Sequence, residues 1–229
     1  KWGRPLKSIL AIFDKKKLIF NFHHLKSSNV TFIDKEFEEN EKGFFTFKEY
    51  NNFFKKFHII IDHRQRKNFI EKKLKEISKK KDIKIENNIF LLDQVVDLTD
   101  QPNVIICEFN KKFLDIPKEI LIITMQFHQR YFPTFDQKGN ITNQFLVVIN
   151  KQDKKGLIKL GNERVVEARL RDADFFWKKD KSQNLVKKVS KLKSMNYFNG
   201  LGTYFDKVQR MRKLGGMISD ELLISKEKV

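Results

Sequence analysis

The sequence predicts an α+β fold: a mainly antiparallel sheet with helices packed on it. Three observations carry that expectation. Strand-like runs come in neighbouring pairs joined by short polar turns, as in hairpins. Amphipathic helical stretches fall between these pairs rather than alternating with single strands, which argues against a doubly wound parallel sheet. The 229 residues are 40% hydrophobic and include 23 phenylalanines, so there is material for a sizeable core. Turn residues, hydrophobic period and charge agree best over residues 117–180, and the chain is organised around that stretch.

Residues 6–13 and 17–23 are rich in strand formers, and residues 14–16 form the turn of a hairpin between them. Residues 26–42 are polar, a loop with short extended pieces. Thr46, with Glu49 three residues on, forms a capping box for a helix to about Lys56, with Phe47, Tyr50, Phe54 and Phe57 on its apolar side. Residues 58–61 read as a short strand. A long helix follows Asp62, with Ile70, Leu74 and Ile77 as its stripe and lysines at 79–81, the end of the helix dipole that favours cations. Residues 86–98 are helical, with Ile89, Leu92, Val95 and Val96 turned inward. Pro102 marks a turn and 103–109 a buried strand. Asp115 caps, and Pro117 starts, a helix to about residue 129. Strands over 130–135 and 142–149 flank the Gly-containing loop 136–140. A helix from Asn162 puts Val166, Leu170, Ala173 and Trp177 on one face and Glu163, Arg164, Arg169, Arg171 and Asp172 elsewhere. A Lys-rich helix over 183–193 and a loop with two glycines over 197–202 come next. A second capping box, Thr203 with Asp206, opens a helix with Tyr204, Val208, Met211 and Ile218 on one face. That helix has little in the chain to pack against. The expected division is therefore 1–199, an α+β domain, and 200–229, the start of a helical domain. With no initiator Met and an opening in mid-pattern, the chain is expected to be an internal piece of a longer protein.

The formal net charge is +18. Lys and Arg in such excess point to a polyanion, because they neutralise phosphates and release counterions. An AT-rich coding background, heavy in Lys, Asn, Ile and Phe, would produce the same excess. One cysteine, Cys107, excludes an internal disulfide framework and fits a reducing compartment. Neither a signal peptide nor a bilayer-length apolar run is present, so the expected location is cytoplasmic. His23, His24 and His63 lack metal-ligand spacing. Cys107 sits in an apolar strand and reads as an inert thiol. There is no phosphate-cradling glycine loop and no nucleophile elbow. Accordingly no catalytic residue, metal or cofactor is assigned to this stretch.

Candidate nucleic-acid contacts are cations and one aromatic. Arg130 and Tyr131, at a helix-to-strand junction, could meet a phosphate and stack on a base. The alternative is that Tyr131 packs in the sheet and Arg130 closes the helix end. On the helix from Asn162, Glu167 with Arg171 and Arg169 with Asp172 are spaced for structural ion pairs; the alternative reading makes Arg164, Arg169 and Arg171 phosphate contacts, Arg164 and Arg171 foremost. Arg64, Arg66 and Lys67 are outer contacts.

The runs HQRYFP at 128–133, GNERVVEARLRDADFF at 161–176 and LGTYFDKVQR at 201–210, in this order, resemble the beta subunit of bacterial heterotetrameric glycyl-tRNA synthetase. The opening Lys1-Trp2-Gly3-Arg4-Pro5 is similar to a further segment of that family. The likeness is weakest over 26–57, where Val30-Thr31-Phe32-Ile33 stands in place of a Gly-His-Arg-Phe-like run. The resemblance implies a much longer subunit in an alpha2beta2 assembly. The alpha subunit would hold the ATP, Mg and glycine chemistry, and the beta subunit would contribute binding of glycine tRNA. It also implies a fold like the editing-type domain of the phenylalanyl-tRNA synthetase beta subunit, followed by an HD-like helical domain. The expected function is therefore a tRNA-contacting part of glycine–tRNA ligase, inactive alone. A hydrolytic editing domain and a scaffold that docks the alpha subunit are the alternatives.

Overall fold

A computed structural model describes residues 6–33 and 41–222. The opening pentapeptide lies outside the described residues. The chain divides into two compact units, Lys1–Arg169 and Leu170–Val229. The boundary expected near Gly200 falls inside the second of these.

The first unit begins with small hairpins. Strands β1 (Ile12–Phe13) and β2 (Lys16–Lys17) pair around Asp14 and Lys15, both at positive φ, the backbone that tight hairpin turns require. The expected single hairpin is interrupted here: β3 (Asn21–Phe22) and β4 (Leu25–Lys26) form a second one around His23. Strands β5 (Val30–Phe32) and β6 (Glu41–Gly43) pair next. Helix α1 (Phe47–Lys56) follows with the expected capping box: Thr46 accepts from the Glu49 N–H, and the Glu49 carboxylate accepts from the Thr46 N–H. Phe44, Phe53 and Phe54 are buried together under these pieces, with Tyr50, Phe57, Ile59 and Ile61 against them. Residues 58–61 do not form a strand. The His58 and Ile59 N–H groups bond back to the end of α1, at Lys55 O and Phe54 O, and the Ile60 N–H donates to Asp100 O.

Helix α2 (His63–Lys81) starts on Asp62, whose carboxylate accepts from the Gln65 N–H, and ends in three lysines. Strand β7 (Lys84–Ile85) leads to helix α3 (Ile89–Leu98), capped by Asn88. The main sheet is completed by β8 (Asn103–Glu108), β9 (Phe132–Phe135) and β10 (Ile141–Ile149), in the order β7-β9-β10-β8. Every strand ladder among the described residues is antiparallel, as expected for the α+β class; a single isolated bridge, Leu10 with Ser28, is parallel. Gly139, at φ +87°, lets the β9–β10 loop close so that Asp136 and Asn140 bond across it.

The pleat divides β10 between two layers. Leu146 turns to the face covered by α2 and α3, where Ile70, Leu74, Leu92, Val96 and Phe132 form the core with it. Phe145 turns to the other face and stacks between Phe109 and Tyr131. Before β9, a short 3-10 turn (Lys111–Asp115) precedes helix α4 (Lys118–Ile123), which continues as a π-helical turn (Thr124–His128). Asp115 thus ends the 3-10 turn instead of capping a helix, and Pro117 stands at the N-cap. The wider π turn lets Thr124, Met125 and Gln126 be buried in succession.

Helix α5 (Leu157–Lys181) starts earlier than the Asn162 expected and runs through the division between the units. Within it Val166 and Leu170 are fully buried and Trp177 is exposed. The second unit adds helix α6 (Leu185–Lys188) and a 3-10 turn (Val189–Ser194), in place of the one Lys-rich helix expected. The hairpin of β11 (Asn196–Phe198) and β12 (Gly202–Thr203) replaces the expected loop. Helix α7 (Tyr204–Glu221) carries the second capping box. Gly202 has φ +78°, and a Cβ there would come within 2.5 Å of the Asp206 carboxylate that completes that box. On α7, Met211 and Ile218 of the expected apolar face are exposed.

Candidate functional site

The N-terminal half of α5 is tied to the sheet by polar bonds as well as by burial. The Tyr131 hydroxyl donates to Asn162 Oδ1 at 2.5 Å. The Glu108 N–H donates to Glu163 Oε1 at 2.9 Å. Because the Phe109 N–H bonds to Asn143 O, that of Glu108 points away from β10, off the open edge of the sheet. Glu163 therefore caps an edge strand and, with Lys159 3.6 Å away, is a structural residue. Cys107 is fully buried with its Sγ 4.0 Å from Lys159 O, and burial pushes its thiol up to about 12. It is the inert cysteine that its apolar strand suggests. Burial also pushes the Tyr131 phenol up to about 12, so it stays a proton donor throughout the neutral range.

These bonds sort the expected contact residues. Tyr131 is buried, with one ring face stacked on Phe145 at 5.2 Å between centroids, so it is a core residue with no face to offer a base. Arg130, at φ +61°, folds its guanidinium back onto the carbonyls of Gln126 and Phe127 and closes the end of the π turn. Arg66 lies inside the first unit: its Nε donates to Val96 O at 2.8 Å and a terminal nitrogen to Ile60 O at 2.6 Å and Ile61 O at 3.3 Å. Lys67 pairs with Asp93 at 2.6 Å and links α2 to α3. Charge alone gives the junction and α2 residues outward roles; internal carbonyls and one carboxylate compete for those same charges.

Arg64, Arg164, Arg169 and Arg171 are exposed. Of these, Arg64, Arg164 and Arg169 make no ion pair or hydrogen bond among the described residues. Arg164 and Arg169 belong to the first unit, roughly 140° apart around α5 at about 100° per residue, and Arg171 belongs to the second. Lys207 lies 4.3 Å above the Tyr197 ring in the second unit, and Lys193 lies 4.9 Å above that of Phe205, so part of the lysine excess there is held against aromatics. Among the described residues no group of His, Cys, Asp and Glu is arranged to hold a metal, and no helix is long and apolar enough to cross a membrane.

The fold and this surface define a basic α+β protein with exposed arginines on α2 and α5. The chain belongs to the glycyl-tRNA synthetase beta subunit family, whose profile it matches over residues 1–229. It is 35% identical to the glycine–tRNA ligase beta subunit of Rickettsia felis, over 93% of this chain and 33% of that protein. The corresponding subunit of Rickettsia canadensis is 35% identical over 96% of this chain and 33% of its own length. That of Thermodesulfovibrio yellowstonii is 33% identical over 99% of this chain and 34% of its own length. The chain thus spans about a third of the length of the curated relatives it matches.

Proposed function

We propose that this chain is a tRNA-contacting part of a glycine–tRNA ligase beta subunit, working in the cytoplasm. In that reading the alpha subunit carries out aminoacylation with ATP and Mg, and this part alone does not aminoacylate. The observation that carries the proposal is the family match over all 229 residues. The net charge of +18 and the exposed arginines support it physically, since cations at the surface can track a phosphate backbone. The contacts proposed are Arg164 and Arg171, with Arg64 and Arg169.

The test is the salt dependence of glycine-tRNA binding by the wild type and by the Arg164→Ala, Arg171→Ala double variant. Removing one arginine from a phosphate should reduce the slope of log affinity against log salt by roughly 0.7–0.9. An unchanged slope would remove both arginines from the interface. Co-purification with the alpha subunit without any tRNA binding would replace this reading with a scaffold. Sustained deacylation of mischarged tRNA would replace it with an editing domain.

A further inference from the structure

A cleft of about 280 Å³ opens in the first unit, and it shares no residue with the arginine surface. Its floor is apolar: Ile59, Ile60, Phe69 and the buried Pro102. Two amides, Gln101 and Asn103, line it, and Lys55, His58 and Gln152 complete its wall. Among the described residues no carboxylate lines it. The volume lies just below the ~300–1,000 Å³ typical of ligand sites, which suits one nucleoside and not a dinucleotide.

Two features show a built site. Gln101 is held from both ends: its backbone N–H donates to Asn150 Oδ1 at 2.9 Å and its Nε2 to Phe57 O at 2.6 Å. Its amide oxygen has no partner among the described residues. His58 occupies the position after the C-cap of α1, where glycine is usual, and holds φ +58°, a backbone conformation that costs a non-glycine residue free energy. The helix end accounts for that conformation, as it does for Asp82 after α2, and its consequence is that His58 lines the cleft.

We infer that this cleft binds a nucleoside monophosphate. The base would lie on the apolar floor and the phosphate would meet Lys55 and His58. A fixed amide oxygen accepts a hydrogen bond from a base N–H, whether exocyclic amine or ring imide, so a nucleotide is favoured over a sugar phosphate that lacks a base. An apolar ligand would have no use for the basic wall, and a small carboxylate none for the floor. The nucleotide is either free or part of an RNA strand. Only the second source rests on the function proposed above.

The experiment titrates the whole chain with AMP, CMP and ribose 5-phosphate by calorimetry, then with a short single-stranded adenylate oligomer. AMP and CMP should saturate, and ribose 5-phosphate, which lacks the base, should bind more weakly. His58→Gly and Lys55→Ala should each weaken binding about tenfold, as removal of a charge-assisted hydrogen bond does. His58→Gly relaxes the backbone, so its thermal midpoint should not fall, which separates impaired recognition from impaired folding. Tighter binding of the oligomer than of AMP, abolished by His58→Gly, assigns the site to RNA; AMP binding without oligomer binding assigns it to free nucleotide. The Arg164→Ala, Arg171→Ala variant should bind AMP normally, so failure of the tRNA reading leaves this test intact. No saturable binding of any of these probes, equal binding of ribose 5-phosphate and AMP, or affinities unchanged in both cleft variants would overturn the inference.

Discussion

Replacing Tyr131 with Phe removes one oxygen and leaves the ring stacked on Phe145. The bond it breaks is the 2.5 Å one to Asn162 Oδ1, which joins the start of β9 to α5 across 31 residues of chain. A neutral hydrogen bond contributes about 1 kcal/mol net, and stranding the half-buried Asn162 oxygen adds to that, so Tyr131→Phe should cost about 1–2 kcal/mol. Asn162→Ala loses the same bond together with the local bond from Nδ2 to Ile158 O at 2.7 Å. It also gains the better helix propensity of alanine, roughly 0.5 kcal/mol, so its net cost is of similar size. The double variant should cost less than the sum of the two, with a coupling of about 1 kcal/mol. Urea unfolding followed by circular dichroism, at unchanged denaturant slope, measures all three. Additive costs, or a Tyr131→Phe variant as stable as the wild type, would refute the view that this hydroxyl locks α5 to the sheet.

Two further predictions concern stability. Arg66→Ala should cost about 2–4 kcal/mol, because several backbone carbonyls lose a charged donor; Arg66→Lys should recover less than half of it, since a single ammonium cannot reproduce the guanidinium fork. Full rescue by lysine in urea unfolding would show that charge, not geometry, matters there. The native chain also holds the Cys107 thiol, ordinarily at 9.0, and the Tyr131 phenol, ordinarily at 10.0, at about 12. Between those values the unfolded chain gives up protons that the native one keeps, so stability should fall as pH rises through that window and be insensitive to these groups below it. Cys107→Ala should flatten the fall between about pH 9 and 10, where, of these two groups, the unfolded thiol is the one that chiefly titrates. A fall of the same steepness there in the variant would refute the thiol's part.

The helix starts are legible where their signals are local. Thr46 with Glu49, Asp62, and Thr203 with Asp206 each bond within a single turn, so residue type and spacing alone identify them. The start of α5 is hidden for the opposite reason. Asp153 supplies its cap from upstream, accepting from the Ile158 and Lys159 N–H groups, so no cap residue stands beside the first helical residue, and Gly161 in the interior resembles a break. Ile89, expected inward, is exposed because α3 begins there, with Asn88 as its cap. The π turn after α4 has no periodic signature that could announce it.

The sequence by itself determined the α+β class, the antiparallel pairing, the capping boxes and the family, because these rest on short-range patterns and ordered motifs. Only the tertiary structure decided which charged and aromatic side chains remain available to a ligand. Arg66 meets Val96 30 residues away, and Tyr131 meets Asn162 31 residues away. The Glu163 carboxylate reaches the Glu108 N–H over 55 residues. The cleft beside His58 is assembled from α1, α2, the turn before β8 and the segment after β10. A local pattern specifies a residue's chemistry and its place on a helix or strand. Which distant carbonyl, carboxylate or ring claims that residue depends on how the layers meet.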